Sequence, residues 1–339
     1  MKHSGAYAEY ALVREMLETA SIIGKFNPGR VREIAPGARP AFLTGEGSSR
    51  LFPAKRTVVQ ALRDGRSAAT ITEGCTQALE YELNGYEVYV ASNSGRTAEA
   101  VRLITTLKER GSSHRIVAIV ANGDSPVMDL ADTGLVLECG TEVAVAATKS
   151  VVEQALIYHA AFEPVPSGPG STMTEKILGD VGGGFEQALT GTIPAEIVRS
   201  ACAADTIYFA GRNDGVAEEL TLKTNEITRK KADYLEGTYP VHGIEEVMQE
   251  TDLVVLVDPF PDEEAKLHDV LVGGVGLRVV AIADRQTQFP TIRVPTVPGF
   301  GPYLQLAAGW NLLVEIGMEL GIDLDRPVRA RKVGNEITG

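Results

Sequence analysis

The chain has 339 residues, room for two ordinary domains that each build a proper core. Its 44% hydrophobic and 23% charged residues are those of a globular protein in water. The net charge of −13 argues against nucleic acid or an anionic membrane surface as the main partner. A small anionic ligand stays compatible, because a nest of backbone N–H groups can hold an anion on an acidic protein. Cys75, Cys139 and Cys202 are odd in number and lie outside any CxxC pattern. Neither a disulfide framework nor a zinc site is expected, and a reducing, cytoplasmic setting is. The opening residues show no signal-peptide pattern, and no apolar run approaches the ~20 residues of a membrane span.

In chain order, Ala8, Leu12, Met16, Leu17, Ala20 and Ile23 recur at helical spacing and predict an amphipathic helix over 6–23. Short apolar runs then alternate with helical patterns: 41–44, 87–90, 115–120 and 135–138. Continuous apolar runs separated by helices predict a parallel sheet covered on both faces. The Pro/Gly-rich stretch 163–171 is the natural joint between halves. A helical pattern from Met173 to Leu189 follows, weakened by Gly182, Gly183 and Gly184. Strand-like runs then return at 206–210, 252–257, 278–283 and 291–294. The first two runs of each half start 46 residues apart (41 to 87, 206 to 252), the next pair 28 and 26 apart. That agreement predicts a duplicated α/β unit. A long apolar helix over 306–320 closes the second copy, and Asp323 to Pro327 ends it and releases a basic tail.

Ser92-Asn93-Ser94-Gly95-Arg96-Thr97 lies between a strand and a helix. First-turn N–H groups lack intrahelical acceptors and the helix dipole favours negative charge, so this turn is an anion cradle or an ordinary N-cap. The turn after the first strand, Gly45-Glu46-Gly47-Ser48-Ser49-Arg50, lacks both the dinucleotide fingerprint and the P-loop lysine. Gly47, Ser48 and Ser49 still offer donors at the same sheet edge. In the second half the equivalent position reads Asp258-Pro259-Phe260-Pro261-Asp262. A carboxylate and two prolines cannot cradle an anion, so one anion site per chain is expected, in the first half. Lys223 and Glu226 are three apart on one helix face; spacing alone describes a solvated ion pair. His242 follows Pro240 in a loop, and the other four histidines are scattered without ligand spacing, so no metal is expected.

The run Gly140 to Gln154, which includes Thr148, together with Ser92 to Thr97, resembles the sugar isomerase (SIS) family. The pattern is similar to the isomerase domain of glucosamine-6-phosphate synthase and to related amino-sugar-phosphate deaminases and phosphosugar isomerases. The resemblance extends over nearly the whole chain and implies two tandem flavodoxin-like units. It implies that Ser92, Asn93, Ser94 and Thr97, helped by Ser49, hold a sugar 6-phosphate. It also implies that Glu226 moves a proton between C1 and C2, and that His242, 16 residues on, opens the sugar ring. Members of the family take that histidine from the neighbouring subunit, which implies a homodimer with shared sites. Lys332, five residues after Pro327, matches a lysine able to form a Schiff base with a ketose carbonyl; a basic tail is otherwise a solvated end.

On this reading residues 1–34 are an N-terminal helix and connection, and 35–165 the anion-binding unit. Residues 166–325 are a linker helix and the unit with Glu226 and His242, and 326–339 a tail over the active site. The expected activity is aldose–ketose isomerisation of a 6-phosphorylated or other 6-anionic hexose, without cofactor. Glu226, His242, Lys223 and Lys332 are the candidate catalytic residues. Gly47, Ser48, Ser49, Ser92, Asn93, Ser94, Thr97 and Thr148 are the candidate binding residues.

The chain departs from the synthase pattern in places. It opens Met1-Lys2 with no N-terminal cysteine nucleophile, and it has Tyr-Pro-Val before His242 and Ile244 after Gly243. Glu73 to Gln77 differ as well. Substrate identity therefore does not transfer, and a 6-sulfo sugar, with one negative charge fewer, also suits neutral donors. Deamination or deglycation of an amino-sugar phosphate uses the same proton transfers. A non-catalytic sugar-phosphate sensor is the alternative outside enzymes, and Glu226 with His242 at the family's separation counts against it.

Overall fold

The computed structural model describes residues 1–111, 114–163 and 173–329. By compactness the chain divides into two units. One consists of Lys25–Glu142 and the described part of Ala147–Gly179; the other of Met1–Gly24, Val143–Ala146 and the described part of Asp180–Ala330.

The first unit holds β1 (Ala41–Gly45), β2 (Thr70–Thr72), β3 (Glu87–Ser92), β4 (Arg115–Val120) and β5 (Thr133–Val136) in the order β2-β1-β3-β4-β5, with parallel pairing throughout. Side chains alternate across the sheet because the strand period is two. Val88, Val90, Ile116, Ala118 and Val120 face a core closed by Ile104 and Leu107 of the helix Ala98–Glu109. On the opposite face Tyr89 meets Tyr158 and Phe162 edge-on, with ring centroids 6.1 and 5.2 Å away. Both partners belong to the helix Lys149–Phe162, which is buried almost all round, its polar side chains Glu153 and Gln154 included. The first apolar runs are where the sequence predicts strands; the fourth begins at Thr133 instead of Leu135.

The second unit holds β6 (Thr206–Gly211), β7 (Lys231–Glu236), β8 (Leu253–Val257), β9 (Arg278–Ala283) and β10 (Thr291–Arg293) in the order β7-β6-β8-β9-β10. Renumbered within its unit, this is the same 2-1-3-4-5 order, again all parallel. The duplicated α/β unit inferred from spacing is therefore present as two flavodoxin-like sheets. Each sheet also has an edge strand that periodicity does not reveal, β2 and β7. The predicted leading helix is a short 3₁₀ turn, Gly5–Glu9, followed by the α-helix Ala11–Lys25. A continuous helix, Glu175–Thr190, runs through the three glycines. A Cβ at Gly182 would stand 2.7 Å from the carbonyl oxygen of Ala20, so the glycine permits close approach of two helices. No helix among the described residues is long and apolar enough to cross a membrane.

Candidate active site

In the 2-1-3-4-5 order, ligands bind where neighbouring strands send their connections in opposite directions, outside the carboxyl ends of β1 and β3. Register places Gly45 beside Ala91, so the turns that follow these two strands start side by side. A Cβ on Gly45 would lie 2.7 Å from the carbonyl oxygen of Ala91, which explains the glycine there. The first turn is a single 3₁₀ turn, Gly47–Ser49, that contains all three candidate binding residues from this loop. The second turn is folded on itself. Ser92 Oγ lies 2.8 Å from Thr97 Oγ1 and accepts from the Gly95 N–H at 3.1 Å, while Ser94 Oγ accepts from the Arg96 N–H at 3.1 Å. Gly95 has φ +67°, and a Cβ there would stand 2.1 Å from Ser125 Oγ. Thr97 is the N-cap of the 12-residue helix Ala98–Glu109, whose first-turn N–H groups are the remaining donors.

Asn93 and Thr148 meet through a residue to which the sequence assigned no role. Asn93 Nδ2 donates to Glu142 Oε2 at 2.7 Å, and the Thr148 N–H and Oγ1 donate to Glu142 Oε1 at 2.8 and 3.3 Å. Glu142 lies in a Gly/Ala-rich stretch, and nothing local in it announces donors that come from positions 93, 148 and 150.

In the other unit, the helix Val216–Thr228 carries Glu219, Lys223 and Glu226. Lys223 Nζ donates to Glu226 Oε2 at 2.7 Å and stands 3.4 Å from Glu219 Oε1. The Lys223 side chain is 1% exposed and that of Glu219 0%, so this is not the solvated pair that spacing describes. Glu226 remains 24% exposed, the member of the cluster that a ligand can reach. Arg229, in the left-handed region at φ 59°, ends the helix and donates to the carbonyl oxygens of Glu226 and Ile227. The signal for Glu219 was present as the four-residue spacing Glu219-Lys223, which puts both on one face.

His242 is exposed at the end of the 3₁₀ turn Tyr239–Val241, just beyond β7. It lines an open cleft of about 630 Å³ with Tyr234, Glu236, Gly237, Thr238 and Tyr239. Burial, then the carboxylates of Glu236, Glu218 and Asp214, push the Tyr234 phenol well up from its ordinary value, so it stays a neutral donor. Glu226 is not part of the lining of this cleft. Lys332 lies outside the described residues. The second sheet's equivalent of the cradle is occupied from within: Arg212 pairs with the Asp258 carboxylate at 2.5 Å and stacks over Phe260, 4.4 Å from its centroid. Among the described residues, no group of three or more His, Cys, Asp and Glu is arranged to hold a metal ion.

Residues 88–164, which include the anion loop and the whole run from Gly140 to Gln154, match the family model described as the SIS domain. Over that segment the chain resembles an SIS domain. Glutamine–fructose-6-phosphate aminotransferase (isomerizing) of Streptomyces coelicolor is 27% identical over 262 residues, covering 71% of this chain and 42% of that protein. The chain spans less than two thirds of the length of the curated relatives of this kind that it matches. In fold, it is similar to tagatose-6-phosphate ketose/aldose isomerase of Escherichia coli, with a TM-score of 0.76 at 18% identity over 96% of this chain and 99% of that one. It is also similar to glucosamine-6-phosphate deaminase of Thermotoga maritima, with a TM-score of 0.72 at 18% identity over 95% and 98%. The α/β architecture is thus that of two tandem SIS units, of which the first contains the matched segment and the second repeats its strand order.

Proposed function

We propose that this SIS protein interconverts the aldose and ketose forms of a hexose bearing an anionic group, phosphate or sulfonate, at C6. The observation that carries the proposal is the buried Lys223 ammonium 2.7 Å from the half-buried Glu226 carboxylate, with Glu219 behind it. A fixed cation beside a reachable carboxylate holds that base in one position. Glu226 takes the proton from C2 of the open-chain aldose and returns it to C1, and the intermediate is an enediol(ate). The developing oxyanion calls for donors in a site that excludes water. The Ser92 to Thr97 turn, with Gly47, Ser48 and Ser49, holds the C6 anion through hydroxyl and backbone N–H donors. Binding energy from that remote group orients the reacting carbons. Ring opening falls to His242, supplied in this reading by the second subunit of a homodimer, and Lys332 is assigned to the ketose carbonyl. No cofactor takes part.

Proton NMR in D₂O with 6-phospho and 6-sulfo aldoses, ketoses and amino sugars, run beside an ammonia assay, tests the reading. Deuterium entering at C1 or C2 with interconversion and no ammonia is the expected result. Ammonia from an amino sugar would move the protein to the deaminases, and ligand-induced stabilisation without any exchange would make it a sensor. Glu226→Gln is expected to lower kcat about 10²–10⁴-fold while leaving ligand affinity within a few-fold of the parent. Retained turnover would remove Glu226 from the role of base.

A further inference from the structure

We propose that Glu142 is a positioning residue for the anion cradle, a role that rests on the reading of the Ser92 to Thr97 turn as the substrate's anion site. Glu142 is 7% exposed, and its carboxylate is a hub. Oε1 accepts from the Thr148 N–H at 2.8 Å, the Thr148 hydroxyl at 3.3 Å and the Ser150 N–H at 3.2 Å. Oε2 accepts from Asn93 Nδ2 at 2.7 Å and from the Ser150 hydroxyl at 2.6 Å. Five donors converge on two oxygens, and an ionised carboxylate offers about four lone-pair sites and no proton. Only an acceptor fits this position.

Two consequences follow for the cradle. Asn93 stands between Ser92 and Ser94, the two residues whose hydroxyls shape the turn. Its carbonyl oxygen accepts from the Ala121 N–H at 2.9 Å and its amide nitrogen is held by Glu142, so backbone and side chain are both fixed. That contact uses one of the two amide hydrogens and fixes the plane in which the other N–H and the side-chain oxygen are presented to a ligand. The second consequence concerns charge. The Glu142 carboxylate sits on N–H groups at the start of the 14-residue helix Lys149–Phe162, where the helix dipole favours an anion. With its own anion already there, this helix start is not a rival for the substrate's phosphate. The helix starts at Leu51 and Ala98, which follow the two candidate turns, stay open to it at the β1–β3 edge. Glu142 thus both holds Asn93 and closes the Lys149–Phe162 helix start to the ligand's anion, acting through other residues without touching substrate.

The test compares Glu142→Gln, Glu142→Asp and Ser150→Ala in the full chain, titrated calorimetrically with inorganic phosphate and assayed with the phosphohexose that the parent turns over. Gln puts an NH₂ group against a donor, and an unsatisfied buried donor lowers binding. Phosphate affinity and 1/KM are expected to fall about tenfold or more with kcat within threefold. Asp, which restores an acceptor-only group, is expected to recover part of the loss. Ser150→Ala, which leaves the carboxylate and removes one strut, is expected to cost a few-fold and serves should Gln fail to fold. In an Asn93→Ala background, the effect of Glu142→Gln is expected to shrink markedly, because the two act as one unit. Parent-like phosphate affinity in Glu142→Gln and Ser150→Ala overturns the proposal. So does a loss that falls equally on kcat and KM, is not recovered by Asp and is undiminished without Asn93; that is the pattern of a merely structural residue. A parent protein that binds neither phosphate nor any phosphohexose overturns the cradle itself, which is distinguishable from both.

Discussion

Lys223 is a side chain with three donors and a positive charge in a place that admits almost no water. Such a group persists only with opposite charge in contact, and Glu219 and Glu226 supply it from the same helix, one turn to either side. Removing one partner of a buried ionic cluster is costly because it strands the other. Lys223→Met is therefore expected to destabilise the protein by about 3–5 kcal/mol, read from urea unfolding midpoints at unchanged slope. A loss below about 1 kcal/mol would mean that Glu219 relaxes without its cation. The spacing of these three residues was legible in the sequence, and their burial was not. A Glu-x₃-Lys-x₂-Glu pattern suits an exposed helix face equally well, and only the apolar neighbours brought by other segments decide the matter. For the Ser92 turn the situation is reversed: its hydroxyls and its place between strand and helix were enough to mark it. Glu142 was invisible for the opposite reason, since all its meaning lies in partners separated from it along the chain.

At the scale of elements, the helix Gly301–Glu319 sets where the Lys223 helix can lie. It is buried along nearly its whole length and packs directly on Val216–Thr228. Gly309 makes this possible. A Cβ there would stand 2.3 and 2.5 Å from the two methyl carbons of Leu220, three residues before Lys223. Gly309→Ala is expected to push the helices apart and cost about 1–3 kcal/mol, despite alanine's better helix propensity. Thermal unfolding checks this, and a rise in Tm would show that Leu220 changes rotamer freely. The strands show the same division between local and tertiary information. β3, β4, β8 and β9 lie inside their sheets and read as unbroken apolar runs. The edge strands do not. Thr70-Ile71-Thr72 is too short to carry a period, and Lys231 to Glu236 carries charge at both ends, as an edge that must not pair with another chain should. The β5 edge starts where β4 offers it a partner, with Thr133 opposite Val117, and not where hydrophobicity begins.

For the whole molecule, acid stability is tied to an imidazole that the proposed reaction does not use. Burial first, and the Arg56 guanidinium second, hold His159 well below the ordinary imidazole range; Arg56 Nη2 lies 2.9 Å from His159 Nδ1. Unfolded, the ring titrates near its usual value of about 6.5. Below that pH the unfolded chain takes up a proton that the native chain refuses, so stability is full above about pH 6.5 and falls as pH drops toward the depressed native value. His159→Gln is expected to flatten this part of a plot of urea midpoint against pH; an unchanged slope would assign it to other groups.

The start of the Ala11–Lys25 helix is held by two N–H bonds, from Ala11 and Leu12 to the Asp325 carboxylate at 2.7 and 2.8 Å, across 314 and 313 residues. On the ribosome this matters. The helix emerges ahead of both sheets, while the residue that satisfies its leading donors is made 314 residues later. Short helices are marginal in water without packing, so this one waits. Meanwhile Lys25–Glu142 supplies a complete five-stranded sheet and can gather a core as it leaves the tunnel. Synthesis from the N-terminus thus runs against the spatial plan. A segment made ahead of both sheets has its home in the later-made of the two units, and an amphipathic helix must be kept from other partners until translation reaches Asp325.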